Sequence, residues 1–437
     1  MPLKATVTKV QNGLWGDEPA EDGSDIICVR VADFDRSSAK VKLAGPTFRS
    51  IPERQQPGRL LHPGDLLLEK SGGGEKQPVG FVARVESLPS KAVCSNFIAR
   101  MQPARGFDPK FLSYLHGHLY SRRVNTRSIK QSTGIQNLDS AAYLSEQVAI
   151  PAEPLQRAIA AYLDRETARI DTLIGKKEFL LALLEEKRTA LISQAVTKGL
   201  DPDVPMQDSG VEWLGEVPAH WEVARTKHVA RLESGHTPSR SKPEYWVDCT
   251  VPWFTLADVH QLRGGDREVV SETKELVSDL GLANSSARKL PAGTVLLSRT
   301  ASVGFSGIMG CDMATTQDFV NWTPGPRIDS AFLLYVFRGM KPFFRRLTMG
   351  STHQTIYMPE VQRFSTPLPP VDEQRAIVDH IRRDQKRFAR LTSATTRAIH
   401  LLREYRSALI SAAVSGQLPI PAPDVTAVPS SQDESIA

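Results

Sequence analysis

Basic and amide side chains gather twice along this sequence, in a pattern suited to phosphates and base edges. Between Arg100 and Lys130 stand seven basic residues, Arg100, Arg105, Lys110, Arg122, Arg123, Arg127 and Lys130, against one acid, Asp108. That run leads into Lys130-Gln-Ser-Thr-Gly-Ile-Gln-Asn, which carries Gln136 and Asn137. Further on, Arg338, Lys341, Arg345 and Arg346 precede Gly350-Ser-Thr-His-Gln-Thr, with no acid between Ser330 and Pro359. Lys and Arg neutralise phosphates, while Gln, Asn, Ser, Thr and His can read base edges. A single cluster of this kind reads as a solvated helix face followed by a polar loop; two at equivalent places favour nucleic acid. The residues expected to touch DNA are Lys70, Arg122, Arg123, Lys130, Gln136 and Asn137 in the first half, and Arg299, Arg345, Arg346, His353 and Gln354 in the second. Asp17 to Asp25 holds five acids, so not every face of the first half is expected to meet DNA.

Motifs for catalysis are missing. There is no GxxxxGK[ST] phosphate loop, no HExxH, no GxSxG and no glycine-rich dinucleotide turn. The Asn- or Asp-Pro-Pro-aromatic tetrad of amino-methyltransferases is absent as well. Gly72 to Gly74 precede charged residues and Pro, which suits a hairpin or surface loop better than a phosphate cradle. The ten histidines form no ligand spacing with acids, and His116 and His118 are expected on a helix near solvent. Cys28, Cys94, Cys249 and Cys311 are widely separated, which fits reduced thiols in a cytoplasm. We expect neither catalytic residues nor a metal site.

The elements that would carry the two clusters are written twice. Gln156-Arg-Ala-Ile recurs at Gln374, 218 positions on, and Arg188-Thr-Ala-Leu-Ile-Ser recurs as Arg406-Ser-Ala-Leu-Ile-Ser in the same register. Pro151 pairs with Pro369 and Gln136 with Gln354 at that offset. Further back the offset drifts, as loop insertions would make it: Gly64 matches Gly293, and Val31-Ala-Asp matches Leu256-Ala-Asp. The front of each unit is a mix of short aliphatic runs between Gly, Pro and Asp, giving strands over Ile26 to Lys42, Leu60 to Glu69, Val79 to Val85, Val251 to Leu256, Thr294 to Arg299 and Ser306 to Met309.

Each unit closes with a Pro-free stretch, Leu155 to about Thr197 and Glu373 to about Ser415. A helix over such a stretch is a rod of roughly 60 Å. Leu163, Ile170, Leu184 and Leu191 fall at heptad spacing, with Leu173 and Leu180 on the intervening seam; the second copy offers Ile381, Phe388, Leu402 and Leu409, with Leu391 and Ala398 between. Glu166, Lys177, Asp384 and Thr395 interrupt the seam. One apolar stripe on a long rod needs a partner, and the sister rod is in the same chain. Ile174 and Leu181, outside that seam, are candidate docking positions, equally readable as part of a wide packing stripe.

The fold class is therefore α+β, with two mixed α/β domains joined by two long helices that form an antiparallel coiled coil about a pseudo-twofold axis. The expected divisions are a first recognition domain over 1–150, a spacer helix over 151–198, a connector over 199–220, a second recognition domain over 221–368, a second spacer helix over 369–418 and a disordered tail over 419–437. At 437 residues and a formal charge of +5 the chain has room for two or three cores. It holds no apolar run of signal-peptide or membrane-spanning length.

On these motifs the chain resembles the DNA specificity subunits of type I restriction-modification systems. The likeness rests on Pro367-Leu-Pro-Pro-Val-Asp-Glu-Gln-Arg-Ala-Ile and its degenerate copy from Ile150 to Ile159. It also rests on the helix ends Glu185 to Val204 and Arg403 to Leu418, and on the connector Asp208 to Val223. The resemblance implies two target-recognition domains that read an asymmetric bipartite sequence in double-stranded DNA. It further implies two methyltransferase subunits docked on the helices, with restriction subunits completing a nuclease. S-adenosylmethionine, ATP and Mg would then belong to the partners, leaving this chain without a cofactor and non-catalytic. Where the second copy has Val371-Asp372-Glu373 the first has Glu153-Pro154-Leu155. Two competitors remain: a self-contained nuclease or methyltransferase with unfamiliar motifs, and a coiled-coil adaptor that binds only protein.

Overall fold

A computed structural model describes residues 1–132, 135–348 and 354–421. The chain divides into two compact units, residues 1–176 with 398–437, and residues 177–397. In unit 1 a six-stranded sheet runs in the order Val7–Asn12, Ile98–Pro103, Leu66–Glu69, Val82–Arg84, Lys40–Val41, Phe34–Asp35. Unit 2 repeats its first five places with Ala230–Ser234, Phe319–Pro324, Val295–Ser298, Ser306–Met309 and Val269–Val270. Even the one parallel pair is kept: Lys40–Val41 beside Val82–Arg84, and Val269–Val270 beside Ser306–Met309. A second sheet of three strands is also duplicated, with Ile26–Val29 central in one unit and Val251–Phe254 in the other. The central strands are aliphatic and buried on both faces, so they read as unbroken Leu and Val runs without alternation.

A capped helix crosses each large sheet. Asp108 caps Pro109–Ser121 by accepting from the N–H groups of Lys110 and Phe111, and Asp329 caps Ser330–Gly339 in the same way through Ala331 and Phe332. The cap is held from behind by the duplicated glutamine. Gln156 Oε1 accepts from Asp108 N–H at 2.9 Å, while its Nε2 donates to Pro151 O and Gly106 O. Gln374 repeats each bond, to Asp329 N–H at 2.8 Å and to Pro369 O and Arg327 O. Both glutamines are buried. The repeated Gln-Arg-Ala-Ile is thus the joint between a mixed α/β domain and the start of its long helix.

The long helices run Glu153–Lys198 and Val371–Val414. In unit 1 the first buries Gln156, Ile159, Ala160, Leu163, Thr167 and Ile170 in a core shared with Leu409, Ala413 and Val414 of the second, and Asp171 pairs with Arg406. In unit 2 Ile192, Ala195 and Val196 share a core with Ile377, Val378 and Ile381, and Arg188 donates to Gln385. Within each unit the partner number falls as the helix number rises, so the pairing is antiparallel.

The seam differs from the expected one in its second row. Leu173, Leu180 and Leu391 are 41–45% exposed, while Thr167, Ile399 and Thr395 are buried and Ile174 is half-buried against the core. A step of ten residues on an α-helix turns about 80° off the stripe, whereas steps of three, four, seven and eleven stay on it. Ile174 therefore belongs to the packing stripe, and the exposed large apolar positions on the first helix include Leu173, Phe179, Leu180 and Leu183. Trp213 and Trp221 anchor the connector: their indole N–H groups donate to Ser365 O and to the Glu373 carboxylate. No helix among the described residues is long and apolar enough to cross a membrane.

Candidate nucleic-acid interface

In each unit the strand that leaves the centre of the large sheet runs on into the polar segment singled out by the sequence. In unit 1, Lys70 and Ser71–Gly72 continue Leu66–Glu69 and pair with Ile135–Leu138, which forms a hairpin with Ile129–Ser132. Leu138 N–H donates to Lys70 O at 2.8 Å. In unit 2, Arg299 follows Val295–Ser298, and Ile356 N–H donates to Arg299 O at the same 2.8 Å. Thr300 then bridges to Thr355, and Ala301 N–H donates to Gln354 O. One backbone frame therefore presents Lys70, Asn137 and Lys130 in the first unit and Arg299 and Gln354 in the second.

Side chains on that frame differ in how freely they could meet a ligand. Lys70 donates to Asn12 Oδ1 at 2.7 Å, and Ser71 Oγ donates to Asn137 Oδ1 at 2.6 Å. Lys130, 79% exposed, contacts Asp139 at 2.7 Å. The Lys130 bond, with N–H groups of the following helix, holds the Asp139 carboxyl below its usual range. Such an exposed pair is screened by solvent, so the ammonium can exchange its partner for a phosphate. Arg122 and Arg123 are exposed at the end of the capped helix, Arg123 in the left-handed region at φ +59°. Glu69, the acid next to Lys70, is buried; burial pushes its carboxyl pKa up despite Arg36 at 2.9 Å.

Several expectations need correction. Gln136 is turned inward, where its Oε1 accepts from Val79 N–H, because alternate strand residues face opposite sides and the neighbouring Asn137 takes the outer side. Arg100 and Lys110, counted in the basic run, are committed within the fold, to buried Asp65 and to Asp164. Arg338 is likewise committed, donating to Gly265 O and Arg267 O. His116 lies on the buried face of its helix, bonded to Tyr143 OH at 2.8 Å, and burial lowers its pKa to about 4. In unit 2, Arg299 spans Gln317 O and Ile356 O, Arg346 is bound by Glu212 of the connector, and Arg345 and Gln354 are exposed. His353 lies outside the described residues. Arg240 and Lys242, absent from the sequence-based set, stand exposed on a loop of unit 2. Among the described residues no three His, Cys, Asp or Glu side chains gather closely enough to hold a metal.

Comparison with known proteins gives a consistent set. Residues 218–398 match the family model described as type I restriction modification DNA specificity domain. The MjaIX specificity subunit of a type I restriction enzyme from Methanocaldococcus jannaschii is 28% identical over 166 residues, 38% of either chain, so the match spans well under two thirds of that relative. A putative MjaX specificity subunit from the same organism is 21% identical over 73% of this chain and 71% of its own. The fold matches that of a chain solved in work on complex assembly and conformational transition of the type I R-M system, with a TM-score of 0.71 at 19% identity, covering 96% of this chain and 97% of that one. The matched domain and the duplicated fold together make the chain similar to the specificity subunits of type I restriction-modification systems.

Proposed function

We propose that the chain is the non-catalytic address subunit of a type I restriction-modification complex, reading an asymmetric bipartite sequence in double-stranded DNA with one half-site for each unit. The observation that carries this reading is the duplicated frame at Lys70–Leu138 and Arg299–Ile356. The backbone bonds are the same, while the side chains they present differ, Lys70, Asn137 and Lys130 against Arg299 and Gln354. A shared frame with diverged contacts suits two readers of unlike half-sites. The proposed contacts are Lys70, Arg122, Arg123, Lys130 and Asn137 in unit 1, and Arg299, Arg345, Arg346, His353 and Gln354 in unit 2.

Two methyltransferase subunits would dock on the exposed sides of the long helices, where Phe179, Leu180 and Leu183 offer apolar surface, and restriction subunits would join them. S-adenosylmethionine, ATP and Mg would act in those partners, and the complex would work in the cytoplasm. Sequencing of host DNA for methylated adenines tests the reading. A split motif that vanishes on deletion of this gene is expected, with one copy of the chain copurifying with two methyltransferase subunits. A methylation pattern unchanged by the deletion would refute it.

A further inference from the structure

Two glycines release matching loops from the edge strands of the two large sheets. A Cβ on Gly13 would lie 2.2 Å from the carbonyl oxygens of Cys94 and Ser95, and one on Gly235 would lie 2.1 Å from Thr316 O. No other residue type permits that approach, so both loops leave their sheets at the same place. Their charges are opposite. Residues 14–25 of unit 1 carry Asp17, Glu18, Glu21, Asp22 and Asp25 and no base. Residues 236–242 of unit 2 carry His236, Arg240 and Lys242 with Ser239 and Ser241, all exposed, and no acid; Glu244 and Asp248 follow.

The basic loop is held in shape. Trp246 packs on buried Trp253 with ring centres 5.4 Å apart and donates its indole N–H to Ser239 O. The Arg240 guanidinium lies 3.9 Å over the Trp246 ring and pairs with Glu275. Thr237 Oγ1 donates to the Gln317 side chain, and the backbone carbonyl of Gln317 accepts from Arg299 Nε. One residue thus ties the loop to a side chain of the proposed reading frame. The acidic loop has a similar buttress, Arg49 at 4.2 Å over Trp15 and paired with Glu18, yet it presents carboxylates.

We propose that residues 236–247 form a phosphate-contacting loop that grips the DNA backbone beside the half-site approached by Arg299, and that residues 14–25 make no such contact. The loop's ligand is the phosphodiester anion, met by Lys242, Arg240 and the serine hydroxyls. The proposal rests on the DNA-binding reading above and adds an inequality to it: unit 2 holds the duplex by more ionic contacts than unit 1. Each phosphate neutralised steepens the dependence of affinity on salt.

Binding of the full-length chain to a short mixed-sequence duplex, measured over a series of NaCl concentrations, tests this. Lys242→Ala should lower the slope of log affinity against log salt by about one, and Arg240→Ala with Lys242→Ala by about two. Glu21→Gln in unit 1 should leave the slope unchanged. Lys242 is exposed and its ammonium lies over the Tyr245 ring at 5.5 Å, so Lys242→Glu should fold normally by circular dichroism while binding more weakly. A wild-type slope in Lys242→Glu overturns the proposal, including the case in which that variant instead loses a protein partner. A changed slope in Glu21→Gln overturns the inequality. Wild-type chain that shows no salt-dependent binding at all would sink the DNA reading itself, an outcome distinct from either.

Discussion

Gln156 and Gln374 show what a short repeated motif can encode at the scale of one residue. The sequence marks them through Gln-Arg-Ala-Ile, and the fold uses each amide to satisfy a buried cap N–H and two backbone carbonyls. Substitution by Ala would strand those groups away from water, at about 1–3 kcal/mol per unsatisfied group. Gln374→Ala should therefore lower unfolding free energy by at least that amount in denaturant titration, while Gln374→Glu should recover part of the acceptor function only. Exposed positions should behave otherwise. Arg345→Ala should leave stability unchanged and weaken binding with a smaller salt slope, whereas Gln354→Ala should relax base choice at one position of the target, measured by binding to a panel of single-base variants. The inward turn of Gln136 was not legible, because each face of Ile135-Gln-Asn-Leu carries one amide and one aliphatic residue, so a two-residue strand period gives no sign of which face is the core.

Charge, at the scale of elements, distinguishes two junctions that share one geometry. In unit 1 the long helix presents Asp164, bound by Lys110 at 2.6 Å and Tyr114 OH at 2.8 Å from the capped helix. The matching position in unit 2 is Arg382, which donates through Nε and Nη2 to the two carboxylate oxygens of Glu268, and Glu268 also accepts from Tyr335 OH at 2.7 Å. Burial pushes the Glu268 and Asp164 carboxyls up, but the hydrogen bonds from Arg382 and Tyr335, and from Lys110 and Tyr114, outweigh it and hold both below the usual range. A carboxyl depressed in the folded chain contributes stability that is complete above its unfolded pKa, about 4, and is lost as pH falls through the lower folded value. Unfolding free energy should thus decline below about pH 4, and the decline should be shallower in Arg382→Gln, whose Glu268 is no longer held down. A decline of equal steepness would mean that other carboxylates govern acid stability. The duplicated strands and both long helices were legible from offset and composition, yet the second row of the seam was not, since exposed Leu173 and Leu180 are as apolar as Ile174, which packs, and more so than buried Thr167.

For the whole molecule, the inverted junctions bear on whether two domains with the same sheet order are interchangeable. Placing the first mixed domain at the second position would keep the glutamine joint, because Gln374 makes the same bonds as Gln156 and the cap aspartate is common to both. It would, however, set Lys110 against Arg382 where it now meets Asp164, and like charges in a partly buried contact disfavour the folded arrangement. A chain carrying the first domain twice should therefore unfold at lower denaturant than the parent, and adding Arg382→Asp should restore much of the difference by recreating the Lys110 and Tyr114 partner. The same Arg382→Asp in the parent should do the reverse, setting two carboxylates together at Glu268 and loosening unit 2. Rescue in one background and damage in the other would establish the junction as a pairing code between domain and helix. Equal effects in both would mean that the sheets and the glutamine joint alone decide which domain sits on which helix.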